Sequence, residues 1–300
     1  MVDIVIVNWN SGHYLNQCIE SIFKNDADKL VSKVIVIDNH SADGSIASVL
    51  QKNKIELILN NENAGFARAC NQGFRLCTAP FILLLNPDTL LHTNTLSQCL
   101  SYMQTNSCID IMGCRLLNEE GQITPSCSRF PTPLHIFFDA SGLSKIAPAF
   151  FTPATVMTDW KHAESRYVNQ VMGAFMFIRS DIFRKLGYFD ERFFVYYEEL
   201  DFSKRLAELG GKTFYNYNTT AVHTGEGTTQ SVKGYRLFLN LRSRLLYAKK
   251  YFSGAGYLLV WFSTFFIEPF ARIFFLLMRL QFVEIKEVIK GFKLLIRNKS

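Results

Sequence analysis

Short apolar runs rich in Val, Ile and Leu recur at residues 3–7, 33–37, 55–59 and 81–85. Near-continuous apolar character over so few positions is what a strand covered on both faces requires, so each run predicts a parallel β-strand. Helical spacing of apolar residues fills the intervals, at 13–23, 44–50, 66–76 and 95–103. This β-α alternation predicts an α/β fold, an open, mostly parallel twisted sheet flanked by helices and joined by right-handed crossovers. Later in the chain a helix is expected after Ser180 and another over 199–209, stopped by Gly210-Gly211. A strand over 212–222 then delivers His223 to its end. Between 121 and 166, Pro125, Pro131, Pro133, Pro148 and Pro153 break any period, which predicts a loop-rich insertion available to an acceptor.

The pattern changes in the last quarter. Residues 251–267 form a 17-residue stretch without formal charge, at the lower edge of what spans a bilayer. Glu268, Pro269 and Arg272 interrupt it before 273–278 resumes, so a single clean span is not expected. In the final segment Ile285, Val288, Ile289, Phe292, Leu295 and Ile296 keep helical spacing, with Lys286, Lys290, Lys293 and Arg297 largely on other faces. That is the pattern of a helix lying in a membrane interface.

Charge follows the same division. The chain carries +6 overall, but 1–231 holds 19 Lys+Arg against 23 Asp+Glu and 232–300 holds 13 against 3. Two regions are therefore expected: a catalytic domain over 1–231 and a basic, apolar, helical membrane-associating region over 232–300. An anionic membrane surface is the expected partner of the second. Nucleic acid is not, because the basic segment is built on Phe and aliphatic clusters without a reading motif. The competing reading is an ordinary helical subdomain packed on the core or on another subunit. The first apolar run is too short, and lacks the basic leader, for a signal peptide, which points to the cytosol. Cys18, Cys70, Cys77, Cys99, Cys108, Cys114 and Cys127 show no CxxC or zinc spacing and read as reduced, mostly buried thiols.

In an open α/β sheet, ligands bind beyond the carboxyl ends of the strands. Those ends carry Asn8-Trp9-Asn10, Asp38-Asn39, Asn60-Asn61-Glu62-Asn63 and Asn86-Pro87-Asp88, polar groups suited to hydroxyls and amide edges. Asp88 follows the most apolar strand and reads as a divalent-metal ligand, or as a turn aspartate. Glu198, Glu199 and Asp201 crowd the start of a helix. One or two of them answer the macrodipole, while crowding raises proton affinity and suits one to general-base work. His223, beside the glycine-rich stretch 224–229, is a metal or phosphate contact or a structural histidine. Asn63 to Asn71 combines a permissive glycine with a helix start carrying Arg68, a diphosphate contact or simply a well-capped helix. Neither a dinucleotide fingerprint nor a Walker A motif occurs.

Taken in order, IVIVNWN, VIVIDNHSADGS, NNENAGFARACNQG, LLLNPDT, GAFMFIRSDIFRKLGYFDERFFVYYEELDFSKRL and the late AVH cover residues 2–225. This succession resembles the family 2 glycosyltransferases of GT-A fold, in particular the rhamnosyltransferase-like enzymes of bacterial surface polysaccharide assembly. The resemblance implies an inverting transfer from a dTDP- or UDP-sugar, with rhamnose favoured, at the cytoplasmic face of the inner membrane. The expected acceptor is a polyprenyl-diphosphate-linked glycan, because a lipid-anchored acceptor accounts for the basic apolar tail, and O-antigen-type synthesis is the expected setting. Asn8 and Asp38 would hold the nucleoside, and Asn63, Arg68 and Asn86 would line the donor site. Asp88 would be the surviving acid of the DxD motif, Asn86 having replaced the first, and His223 a further ligand of a Mg²⁺ or Mn²⁺ ion entering with the nucleotide-sugar. Glu199 would be the base, Asp201 its support, and Gly173-Ala174 the loop beside donor and acceptor. A nucleotidyltransferase is disfavoured because 8–13 lacks Lys and Arg. The non-catalytic alternative, a membrane-bound glycan-binding scaffold of the same fold, sits poorly with intact Asp38, Asp88, Glu199 and Asp201.

Overall fold

The computed structural model describes residues 1–24, 29–49, 53–225 and 232–298. Its contacts divide the chain into two units. The first comprises Met1–Ser128, Trp160–Phe194 and Glu198–Thr228; the second comprises Arg129–Asp159, Val195–Tyr197 and Thr229–Ser300. The expected boundary at 231/232 touches residue 231, which lies outside the described residues, as do 226–229 of the glycine-rich stretch.

The first unit is a mixed α/β domain. It opens with β1 (Val2–Asn8), α1 (Tyr14–Phe23), β2 (Val31–Asp38), β3 (Ile55–Leu59), α2 (Phe66–Leu76), β4 (Phe81–Leu85), β5 (Thr89–Leu91), α3 (Thr95–Thr105), β6 (Ile111–Leu117) and β7 (Cys127–Ser128). The second unit's α4 (Pro133–Ser141) and α5 (Leu143–Ile146) intervene in the chain. The first unit resumes with β8 (Arg166–Val168), β9 (Gln170–Val171), β10 (Phe175–Arg179), α6 (Asp181–Leu186), α7 (Glu198–Glu208) and β11 (Thr213–His223). The main sheet runs β3-β2-β1-β4-β10-β6-β11-β5, with β8 beside β11. The β3-β2-β1-β4 part is wholly parallel. Every residue of β1 and of β4 is buried. Their unbroken Val/Ile/Leu runs therefore make the core, each such side chain worth about 1.5–3 kcal/mol of burial.

Register positions the chemistry. Asn8 of β1 lies opposite Asp38 of β2, and Asp38 opposite Leu59 of β3, so three strands end level. A shift between Asn216 and Thr220 divides β11. Its first half pairs with β8, and its last three residues pair with β5, where His223 faces Thr89.

Two local expectations change. The helix expected over 44–50 is a short 3₁₀ turn, Ser45–Ser48, and Leu50 lies outside the described residues. The stretch 121–166 holds α4 and α5 in place of loop alone: Pro133 occupies the first helical turn, where its missing N–H is harmless, and the Thr132 hydroxyl accepts from His135 N at 3.2 Å.

The second unit is helical. Besides α4 and α5 it contains α8 (Lys233–Tyr251), α9 (Gly254–Phe262), α10 (Glu268–Met278) and α11 (Phe282–Arg297). A π-helical segment, Ser263–Ile267, joins α9 to α10. Its core gathers Ile136, Ala154, Ala248 and Val260. The interruption expected at 268–272 does not break the helix. Pro269 sits in the first turn of α10, and Glu268 is buried against Arg244 and Arg272. Gly254–Met278 is thus one helical run of 25 residues with a mean hydropathy of 1.5 in its most apolar window, long and apolar enough to cross a membrane. Of the seven cysteines, all free, Cys108 is exposed and Cys77 half-buried; burial pushes the Cys77 and Cys127 thiols up to about 12.

Candidate active site

Asn8 is wholly buried and Asp38 is 3% exposed. The Asn8 amide donates to Asp38 Oδ1 at 2.7 Å and to Ser45 Oγ at 2.8 Å, while the Ser11 hydroxyl donates to Asn8 Oδ1. Ser41 N donates to Asp38 Oδ2 at 3.0 Å. Asn8 therefore acts by holding the Asp38 carboxylate in one orientation. Ser11, Ser41 and Ser45 were not singled out from the sequence; the turn-forming strings NSG, for Ser11, and HSADGS, for Ser41 and Ser45, were their only signal.

The loop into α2 is fixed from the other side. Asn39 donates to Gly65 O at 3.1 Å, and Asn63 accepts from Gly65 N at 3.0 Å. Gly65 has φ 86°, and a Cβ there would stand 2.6 Å from Phe194 O, which accepts from Phe66 N. Only glycine fits that approach. Arg68 follows in the first turn of α2 and is exposed.

Asp88 lies between β4 and β5 in a turn held by both neighbouring strands. Asn86 N and Thr89 Oγ1 both donate to Ala174 O, at 3.1 and 3.2 Å, and Thr224 N donates to Asp88 O at 3.1 Å. The pairing of β5 with β11 brings His223 Nε2 to 3.3 Å from Asp88 Oδ1. Asn86 is half-buried at the start of the same turn. Among the described residues no group of three or more His, Cys, Asp or Glu gathers for a metal. One carboxylate and one imidazole side by side fit a divalent cation whose other positions are taken by phosphate oxygens and water.

Gly173 precedes Ala174 and connects this turn to the acids. A Cβ at Gly173 would run into the Glu199 carboxylate, which accepts a hydrogen bond from the Gly173 backbone. Glu199 is half-buried, and desolvation raises its pKa above the usual 4.5 although bonds from Gly173, its own backbone and Glu198 act the other way. Asp201, in the same helical turn as Glu199, is fully buried and takes Arg205 Nε at 2.9 Å, and the same guanidinium donates to Leu186 O and Tyr188 O. What Asp201 does in this geometry is anchor α7. Tyr196 and Tyr197, with φ 67° and 72°, lead the chain into that helix through a left-handed turn that no sequence signal announced.

The geometry thus joins Asn8 with Asp38, Asp88 with His223, and Asn86 and Thr89, the neighbours of Asp88, through Ala174 and Gly173 with Glu199. Residues 3–152 match the profile of glycosyl transferase family 2, and residues 81–285 that of glycosyl transferase family group 2. The chain belongs to glycosyltransferase family 2. It is 26% identical over 259 residues to the low-salt glycan biosynthesis hexosyltransferase Agl10 of Haloferax volcanii, covering 84% of this chain and 76% of that protein. It is 21% identical over 239 residues to the N-acetylglucosaminyl-diphospho-decaprenol L-rhamnosyltransferase of Mycobacterium tuberculosis, covering 74% of this chain and 76% of the relative. Among solved structures, the mannosyltransferase PcManGT from Pyrobaculum calidifontis, in complex with GDP-Man and Mn²⁺, aligns with a TM-score of 0.56 at 13% identity. That alignment covers 100% of this chain and 76% of the mannosyltransferase. The glycosyltransferase therefore has a GT-A-like fold, with its candidate site at the carboxyl ends of the parallel strands and beside β5, β10 and β11.

Proposed function

We propose that this glycosyltransferase moves a sugar, rhamnose in the first instance, from a dTDP- or UDP-sugar to a hydroxyl of a polyprenyl-diphosphate-linked glycan, with inversion at the anomeric carbon. The observation that carries the reading is the continuity from the Asp88–His223 pair, through the bonds of its neighbours Asn86 and Thr89 to Ala174, to Gly173 and Glu199. A leaving-group site and a base of raised proton affinity thereby share one wall. Rhamnose and the lipid-linked acceptor are supported by the mycobacterial relative's activity.

Asp88 and His223 would hold Mg²⁺ or Mn²⁺, which supplies positive charge where the diphosphate departs. Glu199 accepts the proton of the acceptor hydroxyl as its oxygen bonds to the anomeric carbon. The bond from that carbon to the diphosphate oxygen breaks on the opposite face, and nucleoside diphosphate leaves. Asp38, oriented by Asn8 and Ser41, takes the nucleoside, with Asn63, Arg68 and Asn86 around the donor. Gly173 keeps the Glu199 carboxylate free of a side chain that would block the acceptor's approach.

Work at the cytoplasmic face of an inner membrane, as a peripheral or monotopic protein, is supported by the apolar run Gly254–Met278 and the basic α11. The test is nucleoside diphosphate release from a panel of UDP-, dTDP- and GDP-sugars, with and without Mg²⁺ or Mn²⁺, in the presence of bacterial lipid extract. Metal-dependent release from one donor is expected. A folded protein silent across the panel would sink the reading.

A further inference from the structure

A cavity of about 810 Å³ lies wholly within the helical unit, between α4, α5, α8, α10 and α11. That is the size of a small-ligand site. Arg244 lines it and is only 5% exposed, yet among the described residues its Nε–H has no partner. Its Nη2 alone serves both Thr264, at 2.8 Å, and Glu268. Buried polar N–H groups are rarely left unpaired, so its presence asks for an acceptor that the described residues do not provide.

The wall is suited to an anion. Arg272 shares Glu268 with Arg244, which places two guanidinium groups on one carboxylate. Arg279 and Lys145, both exposed at the lining, make no ion pair among the described residues. The other lining acids are engaged: Glu284 with Lys233, Glu287 with Gly234 N, and Asp139 with Ser144 and Ala154 N.

α10 also tells what the anion is attached to. One face lines the cavity through Glu268, Ala271, Arg272, Phe275, Leu276 and Arg279. The other leaves Phe270, Phe274 and Met278 exposed at 71%, 58% and 70%. A ligand with a charged end and a hydrocarbon body would satisfy both faces of the same helix.

We infer that this cavity seats the phosphate end of an amphiphile, with Arg244 Nε, Arg272 and Arg279 as its donors and the hydrocarbon lying along the exposed aromatic face of α10. Guanidinium groups suit such a head because they give paired, charge-assisted bonds to phosphate oxygens. The source of that phosphate is either a polyprenyl phosphate or an anionic phospholipid. The site concerns the helical unit alone, and its test reads binding without turnover, so it stands or falls apart from the transferase reading.

The experiment measures the melting temperature of the full chain in detergent with polyprenyl phosphate, phosphatidylglycerol, diacylglycerol or inorganic phosphate added. Lipid-borne phosphate should raise it by several degrees through binding to the folded state, and diacylglycerol and inorganic phosphate by much less. Arg279→Gln, at an exposed position, and Ala271→Trp, which fills the cavity without changing charge, should each remove most of that rise. Arg279→Lys should keep much of it. A rise with polyprenyl phosphate alone assigns the cavity to a polyprenyl carrier; a rise with phosphatidylglycerol as well assigns it to bilayer lipid. No rise, an equal rise with diacylglycerol or inorganic phosphate, or a rise unchanged in both Arg279→Gln and Ala271→Trp overturns the inference.

Discussion

Glu199 is where the site's chemistry and the stability of the fold oppose each other. Burial raises its pKa, so the folded state binds its proton more tightly than the unfolded state does. The stabilising contribution of that proton is complete below the unfolded value and is lost as pH rises through the raised folded value. Catalysis needs the reverse, because only the ionised carboxylate can accept a proton from a hydroxyl. Glu199→Gln should therefore lower turnover by about 10²–10⁴-fold, the range general-base catalysis supplies. It should leave the melting temperature at neutral pH unchanged or higher. The wild-type rate should rise with pH along a limb lying above the usual glutamate value of 4.5. A pH–rate profile and a thermal melt on the same protein check both, and near-normal turnover in a folded Glu199→Gln protein would remove Glu199 from the base role. The acids of this site were legible in the sequence because carboxylates at strand ends and helix starts are conspicuous. The groups that aim them were not. Ser41 and Ser45 reach Asp38 and Asn8 from across a turn, and Tyr196 and Tyr197 take a positive φ that ordinary aromatic residues do not advertise.

At the scale of elements, α2 matters more for what it fastens than for its own amphipathic face. Asn71 is 1% exposed; its amide donates to Phe189 O and Glu191 Oε1, each at 2.9 Å, and its oxygen accepts from Phe189 N at 2.9 Å. One side chain thereby satisfies both backbone groups of Phe189 and ties the helix to the segment that continues to Phe194, against which Gly65 packs. Asn71→Ala leaves those groups buried and unpaired, at a cost of about 2 kcal/mol. The melting temperature should fall by roughly 4–8 °C, given the few degrees per kcal/mol typical of a domain this size. If Asn71→Ala melts with the wild type, the fastening is not energetically significant. The bounds of α2 were readable from periodicity, since one face of it is simply apolar; this tie spans more than a hundred residues and leaves no local trace. The region 121–166 shows the converse. Its prolines read as breakers, yet Pro133 begins a helix, because proline is disfavoured in a helix interior and tolerated in its first turn.

For the whole molecule, the division of charge along the chain has a structural counterpart in the helical unit. Leu258, Phe262, Phe266, Phe270, Phe274 and Met278 recur every fourth residue along α9, the π segment and α10, and all are exposed by half or more. Water alone gives no reason for such a stripe, while an apolar medium does. The sequence indicated apolarity here but suggested a break at Glu268, because it could not show that this carboxylate turns inward to Arg244 and Arg272. On α11, Lys286, Lys290, Lys293 and Arg297 line one shallow groove. Two separable forces on a membrane follow, one hydrophobic and one electrostatic. The Phe266→Ser/Phe270→Ser/Phe274→Ser variant should lose flotation with neutral and anionic vesicles alike. Replacing the four α11 cations by Gln should leave binding to neutral vesicles intact. It should also abolish the extra affinity for anionic ones, up to about a thousand-fold at about 1 kcal/mol per cation. That extra affinity should shrink in the wild type as salt shortens the screening length, reaching about 3 Å at 1 M. A Gln variant as salt-sensitive as the wild type would mean that the anionic membrane is met by some other face of the molecule.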